Sequence, residues 1–195
     1  MDSVPTRQHM TTVVAISGSL RDGSYTRTAL QHVLDAAEDA GADTELIDPR
    51  ELDLPLFDPD NRDVGDSDYL KRTVDEADAI ILGTPVYHGT LSSALKNALD
   101  YLGKDEFEGK TVGLLAVAGG GGYGRTLEHL RTSVRTVRGW TLPHEVGIRK
   151  AYDQFDDGEF VDEDLEERTR TLGTLAVQYA NIEPAEVPEL SAADD

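Results

Sequence analysis

Two segments of this chain, "AIILGTPVY" (Ala79 to Tyr87) and "TVGLLAVA" (Thr111 to Ala118), are apolar at odd and even positions alike. A strand of that kind has no face to give to water, so it belongs inside a parallel sheet covered by helices on both sides. Parallel neighbours need crossover connections, and the rest of the chain supplies them. "TVVAIS" (Thr12 to Ser17), "TELID" (Thr44 to Asp48) and "WTLPHEVGI" (Trp140 to Ile148) read as three further strands. Between the strands, apolar residues recur at helical spacing: Ala29, Leu30, Val33, Leu34 and Ala37; "DYLKRTVDEAD"; Leu91, Ala94, Leu95, Ala98, Leu99 and Leu102 behind a Ser92 or Ser93 cap; Leu127, Leu130, Val134 and Val137. Leu165, Leu172, Leu175, Ala176 and Tyr179 mark a last helix. Alternation of this kind predicts an α/β, doubly wound sheet of five parallel strands.

At 195 residues the chain is long enough for one domain with its own core, and a single domain over 1–195 is the expectation, its ordered part about 11–182 between flexible tails. Met10 stands just before the first strand, so residues 1 to 9 read as an extension, or the natural start is Met10. No apolar run reaches the ~20 residues of a membrane span and "MDSVPTRQHM" lacks a signal-peptide core, which predicts a soluble cytoplasmic protein. With no cysteine there is no thiol nucleophile and no dithiol pair, so redox chemistry requires a cofactor. The formal charge of −20 is spread along the chain, as on a surface adapted to a salt-rich cytoplasm, and it disfavours nucleic acid or anionic membrane as partners. The five histidines show no metal-ligand spacing, and "DQFDDGEFVDED" fails as a calcium loop because Phe155 would take a ligand position; it reads as a solvated acidic loop.

In a doubly wound sheet, ligands bind beyond the carboxyl ends of the strands, where strand order reverses. The loops placed there are 17 to 27, 85 to 92 and 118 to 125. "ISGSLRDGSYTR" puts Ser17, Ser19, Arg21, Ser24, Tyr25 and Thr26 between the first strand and the amino end of the first helix. Free N–H groups, hydroxyls and a guanidinium meet there, a phosphate cradle built without lysine. The motif is neither GxxxxGK[ST] nor GxGxxG. "TPVYHGT" sets Pro85, Val86, Tyr87, His88 and Gly89 at the tip of the third strand, a backbone on which a flat ring can rest. The glycines Gly119, Gly120, Gly121 and Gly122 strip side chains from the end of the fourth strand, leaving amides for a ring's polar edge. A phosphate site with two backbone-rich walls describes a mononucleotide with a flat head group, and flavin mononucleotide (FMN) fits.

"GSLRDGSYTR", "LPLFDPD", "TPVYHGTLSSALKNALDYL" and the glycine-rich turn together resemble the NADPH-dependent FMN reductase family over roughly Thr11 to Gly147. The resemblance implies a flavodoxin-like three-layer α/β sandwich with strand order 2-1-3-4-5. It implies FMN held at its phosphate by Ser19, Arg21, Ser24 and Thr26, with Pro85 to His88 along the ring and Gly119 and Gly120 at its pyrimidine edge. It also implies NADPH or NADH as co-substrate, a flavin, quinone or azo-type small-molecule acceptor, and a homodimer or dimer of dimers. Leu91, Leu95, Leu99 and Tyr101 are the dimer candidates. No catalytic side chain is assigned. The alternative from another class is an FMN-binding electron carrier that does not itself oxidise NAD(P)H. Arg125, Arg131, Arg135 and Arg138 form a stripe that either steers an anionic nicotinamide cofactor or pairs with neighbouring carboxylates.

Overall fold

In the computed structural model, residues 10–180 and Ile182 are described. The expected tails, 1–9 and 183–195, lie outside them. Five parallel strands, β1 (Thr12–Ser17), β2 (Asp43–Ile47), β3 (Ala79–Pro85), β4 (Thr111–Ala118) and β5 (Trp140–Arg149), form one sheet in the order β2-β1-β3-β4-β5. That is the expected order, and β3 and β4 are buried at every position. Helices α1 (Tyr25–Asp39) and α6 (Glu163–Gln178) cover one face; α2 (Ser67–Glu76), α3 (Ser93–Tyr101), the single turn α4 (Lys104–Phe107) and α5 (Gly124–Thr136) lie on the other.

The strand pleat divides the two cores. Val13, Ala15, Ile81, Leu115 and Val146 point towards α1 and α6, whereas Val14, Ile16, Ile80, Leu82 and Leu114 point towards α2, α3 and α5. In the edge strand β5, pairing jumps from Val112–Thr141 to Leu114–Glu145, a bulge that absorbs Pro143, whose missing N–H the edge tolerates.

Two segments depart from the expectation. "YDQFDDGEFVDED" is no solvated loop: a 3-10 turn (Ala151–Asp153) leads into a hairpin of β6 (Phe155–Asp156) and β7 (Glu159–Phe160). Asp157 and Gly158 both have positive φ, 48° and 90°, as a tight hairpin turn requires. Phe155 stacks on Tyr25 at 5.4 Å, Phe160 meets His32 edge-on at 4.9 Å, and His32 Nε2 lies 3.0 Å from the Gly158 carbonyl. Leu95 and Tyr101 are not surface residues awaiting a second copy either, since both are buried within the chain. The Tyr101 hydroxyl donates to Pro55 O at 3.0 Å and its ring packs edge-on against Phe57, so the "LPLF" loop is docked on α3.

Helices α1 and α6 approach so closely that a Cβ on Gly173 would lie 1.9 Å from the Val33 carbonyl oxygen. Gly173→Ala is therefore expected to lower stability by a net ~2 kcal/mol or more in urea unfolding, because forced separation of the helices outweighs the ~1 kcal/mol of helix propensity that alanine adds.

Candidate active site

The carboxyl ends of β1, β3, β4 and β5 surround a cavity of about 360 Å³. Its floor on the β1 side is the loop from Ser17 to Ser24. Ser17 is fully buried behind the wall, and its Oγ accepts from Ser19 N at 3.3 Å; Ser19 Oγ in turn accepts from Arg21 N at 3.4 Å. Ser24 caps α1, its Oγ accepting from Arg27 N at 3.1 Å. The N–H groups of Tyr25 and Thr26, in the first turn, have no intrahelical carbonyl to bond. Ser19, Ser24 and Thr26 are buried yet line the cavity, and Arg21 lines it from the exposed side.

The loop is held from two directions. From β3, Gly18 N donates to Gly83 O at 2.7 Å. From the cap of α3, Ser92 Oγ donates to Gly18 O at 2.6 Å and accepts from Leu95 N at 3.2 Å. A Cβ on Gly18 would meet Ser92 Oγ at 2.7 Å, so glycine serves here for close approach rather than for a turn. Ser92 is thereby committed to the scaffold. From β2, the Arg50 guanidinium grips Asp48 at 2.6 to 3.1 Å and reaches Asp22 Oδ1 at 3.1 Å. Arg27 Nη2 donates to Asp22 O at 2.5 Å, while its Nη1 lies 3.4 Å from the Asp48 carboxylate without hydrogen-bond geometry.

The opposite walls carry Pro85, Val86 and Tyr87 at the end of β3 and just after it, Val117 and Gly119 at the end of β4 and just after it, and Ala151 and Tyr152 after β5. Tyr87 and Thr90 exchange two backbone hydrogen bonds of 3.1 Å around His88 (φ 51°) and Gly89 (φ 79°), a tight turn that keeps the tip compact. His129 of α5 steadies that tip, its Nδ1 2.7 Å from Thr90 Oγ1. Nothing lies within 4 Å of where a Cβ would stand on Gly119, Gly120, Gly121 or Gly122.

Of the residues expected from sequence, Ser19, Arg21, Ser24, Tyr25, Thr26, Pro85, Val86, Tyr87 and Gly119 converge on the cavity. Ser17, His88, Gly89, Gly120 and Gly121 do not line it. Sequence reading missed Ala151 and Tyr152, 58% exposed at the rim, because the acidic run after them masks the Asp157-Gly158 hairpin signal. No member of the arginine stripe lines this cavity: Arg125 stands in the first turn of α5, and Arg131, Arg135 and Arg138 lie near and just past its carboxyl end, beside the amino ends of β4 and β5.

The residues present fit FMN. Buried hydroxyls and helix-terminal N–H groups face one end of the cavity, suited to a dianionic phosphate, and the strand tips at Pro85 to Tyr87 and Gly119, with Val117 and Tyr152, wall the other, suited to a flat ring.

Such a fold and site define a flavodoxin-like flavoprotein, and comparison with known proteins narrows the class. The family model described as NADPH-dependent FMN reductase matches residues 11–153. An FMN-dependent NADPH-azoreductase from Staphylococcus saprophyticus is 32% identical over 180 residues, spanning 88% of this chain and 96% of that protein. An NADPH azoreductase from Bacillus sp. (strain OY1-2) is 38% identical over 150 residues, 75% of this chain and 80% of that one. Among solved structures, the flavoenzyme NAD(P)H:(acceptor) oxidoreductase FerB from Paracoccus denitrificans superposes with a TM-score of 0.74 at 22% identity, over 88% of this chain and 97% of that one. The chain belongs to the NADPH-dependent FMN reductase family, an oxidoreductase family that uses FMN and NADPH.

Burial works to raise the Asp48 pKa, but hydrogen bonds from Arg50 and the charges of Arg27 and Arg50 outweigh it and hold the carboxyl below its ordinary value. A carboxyl depressed on folding contributes stability that is complete above the unfolded value of about 3.9 and lost as pH falls through the folded one. The urea midpoint should therefore fall as pH drops below about 4, and less steeply in Asp48→Asn, which should also be less stable at pH 7.

Proposed function

We propose that this chain takes reducing equivalents from NADPH and passes them to a planar acceptor, a quinone or an azo compound, on FMN seated in the β1–α1 cavity. The observation that carries this reading is the buried, double-anchored cradle of Ser19, Ser24 and Thr26 facing the strand tips at Pro85 to Tyr87 and Gly119. When bound, FMN supplies the two-electron chemistry that links the nicotinamide to the acceptor. Ser19, Ser24 and Thr26 offer hydroxyls to the phosphate, with the free N–H groups at the start of α1, and Arg21 contributes the balancing charge. The backbone from Pro85 to Tyr87 and the amide of Gly119 orient the ring. Among the described residues the cavity is lined by no Asp, Glu, His or Lys, and the roles we assign to its lining are to bind, orient and shield. The identity to NADPH azoreductases supports this reading over a simple electron carrier.

Two copies are taken to pair across α3 and α5, where Leu99, Leu102, Phe107, Val134 and Val137 line an open groove of about 310 Å³. No helix among the described residues is long and apolar enough to cross a membrane, and we place the protein in a cytoplasm rich in salt, where its charge of −20 is screened.

Reconstituted with FMN, the protein should sediment as a dimer, bleach on addition of NADPH and turn over a quinone and an azo dye, and melt at a higher temperature in 2 M than in 0.1 M KCl; no bleaching would return it to the carriers. The Ser19→Ala/Arg21→Ala variant should bind FMN about 10- to 100-fold more weakly, the effect of losing charge-assisted hydrogen bonds, while binding riboflavin, which lacks the phosphate, as the wild type does. Equal FMN affinity in fluorescence titrations would refute the cradle.

A further inference from the structure

At the amino ends of β4 and β5, the end of the strands away from the cofactor cavity, α5 and β5 enclose an open groove of about 650 Å³ lined by Arg131, Arg135, Arg138 and Trp140, with Glu108 the one carboxylate of the lining. Trp140 is the chain's only tryptophan, and 62% of it is exposed. Arg131 is spent on Glu145 and Thr141, and Arg138 pairs with Glu108 at 2.6 Å with both side chains more than half exposed. Arg135 pairs with no carboxylate among the described residues. A cationic patch beside a bare indole is out of keeping with a chain of formal charge −20. Arginine and tryptophan together are the side chains that most often anchor a partner.

The occupant is indicated by where the chain leads. Helix α6 ends beside this groove, for the Tyr179 carbonyl accepts from Thr111 Oγ1, and Thr111 is the β4 register partner of Trp140. Tyr179 and Ile182, at and just after the end of α6, are both exposed. The next residues, 183–195, read "EPAEVPELSAADD": five carboxylates, no lysine or arginine, and Val187 and Leu190 among them. Thirteen residues extend to at most about 45 Å, so reach is no obstacle.

We propose that the groove is the docking site of residues 183–195 of the same chain, the carboxylates meeting Arg135 and Arg138 and the apolar side chains covering Trp140. Exposed ion pairs weaken as salt rises, so docking is stronger at low ionic strength than at high.

The lone tryptophan makes this directly measurable. In the full chain with Glu183, Glu186 and Glu189 all changed to Gln, Trp140 emission should shift to the red and its acrylamide quenching constant should rise about twofold over wild type in 50 mM KCl. FMN binding, which reports the far end of the sheet, should not change. In 2 M KCl, wild type and variant should become alike. A chain ending at Ile182 should match the variant, and the peptide EPAEVPELSAADD added to it should restore the wild-type spectrum. Identical quenching in wild type, variant and shortened chain would overturn the proposal. So would protection of Trp140 that grows with protein concentration, because a second copy would then be covering the groove.

Discussion

The Ser92 hydroxyl is the point on which the site hangs. It donates to the carbonyl of Gly18 and accepts from Leu95 N, so one side chain ties the β1 loop to the cap of α3. Ser92 N is bonded in turn to Thr84 Oγ1 at 2.9 Å, and Gly18 N to Gly83 O, which brings β3 into the same knot. These groups are buried, and a buried carbonyl left without its donor costs about 1–3 kcal/mol. The β1 loop and the β3 tip, which wall the cavity from two sides, are thus fixed by the same few atoms.

A second clamp acts on the outer side of the cradle. Asp48, at the end of β2, is charged although buried, because Arg50 and Arg27 both stand against it. The same two arginines reach Asp22, so the exposed half of the loop is fastened to the sheet through a salt-bridge network rather than by apolar packing. Its buried member, Asp48, would be left an uncompensated charge if its arginines were lost, which is the costly way to break such a network.

The sheet was readable from sequence because β3 and β4 are apolar on both faces, a pattern that only a covered parallel strand satisfies. The convergence of Ser19, Arg21, Ser24 and Thr26 on one cavity was readable too, since they lie within eight positions of the chain and need only the strand-to-helix turn to meet. What the chain did not disclose depends on distant partners. Ser92 and Gly18 are 74 positions apart, and no local pattern marks a hydroxyl that will bond a carbonyl so far away. Tyr152 reaches the rim only because Phe155 and Phe160 pin the hairpin to Tyr25 and His32, a contact hidden in a run whose composition speaks of solvent. Leu95 and Tyr101 misled for a related reason: periodicity marks an apolar stripe without saying whether the sheet or another molecule covers it.

The bulge in β5 has a consequence beyond the chain itself. A sheet edge with evenly spaced N–H and C=O groups is a template on which another chain's strand can stack, the first step towards a fibril. Between Thr141 and Glu145 the ladder to β4 is interrupted, and Pro143 removes a donor from the same stretch. An incoming strand would find the hydrogen-bonding rail broken in its middle, which keeps this margin of the molecule from seeding aggregation when the protein is crowded.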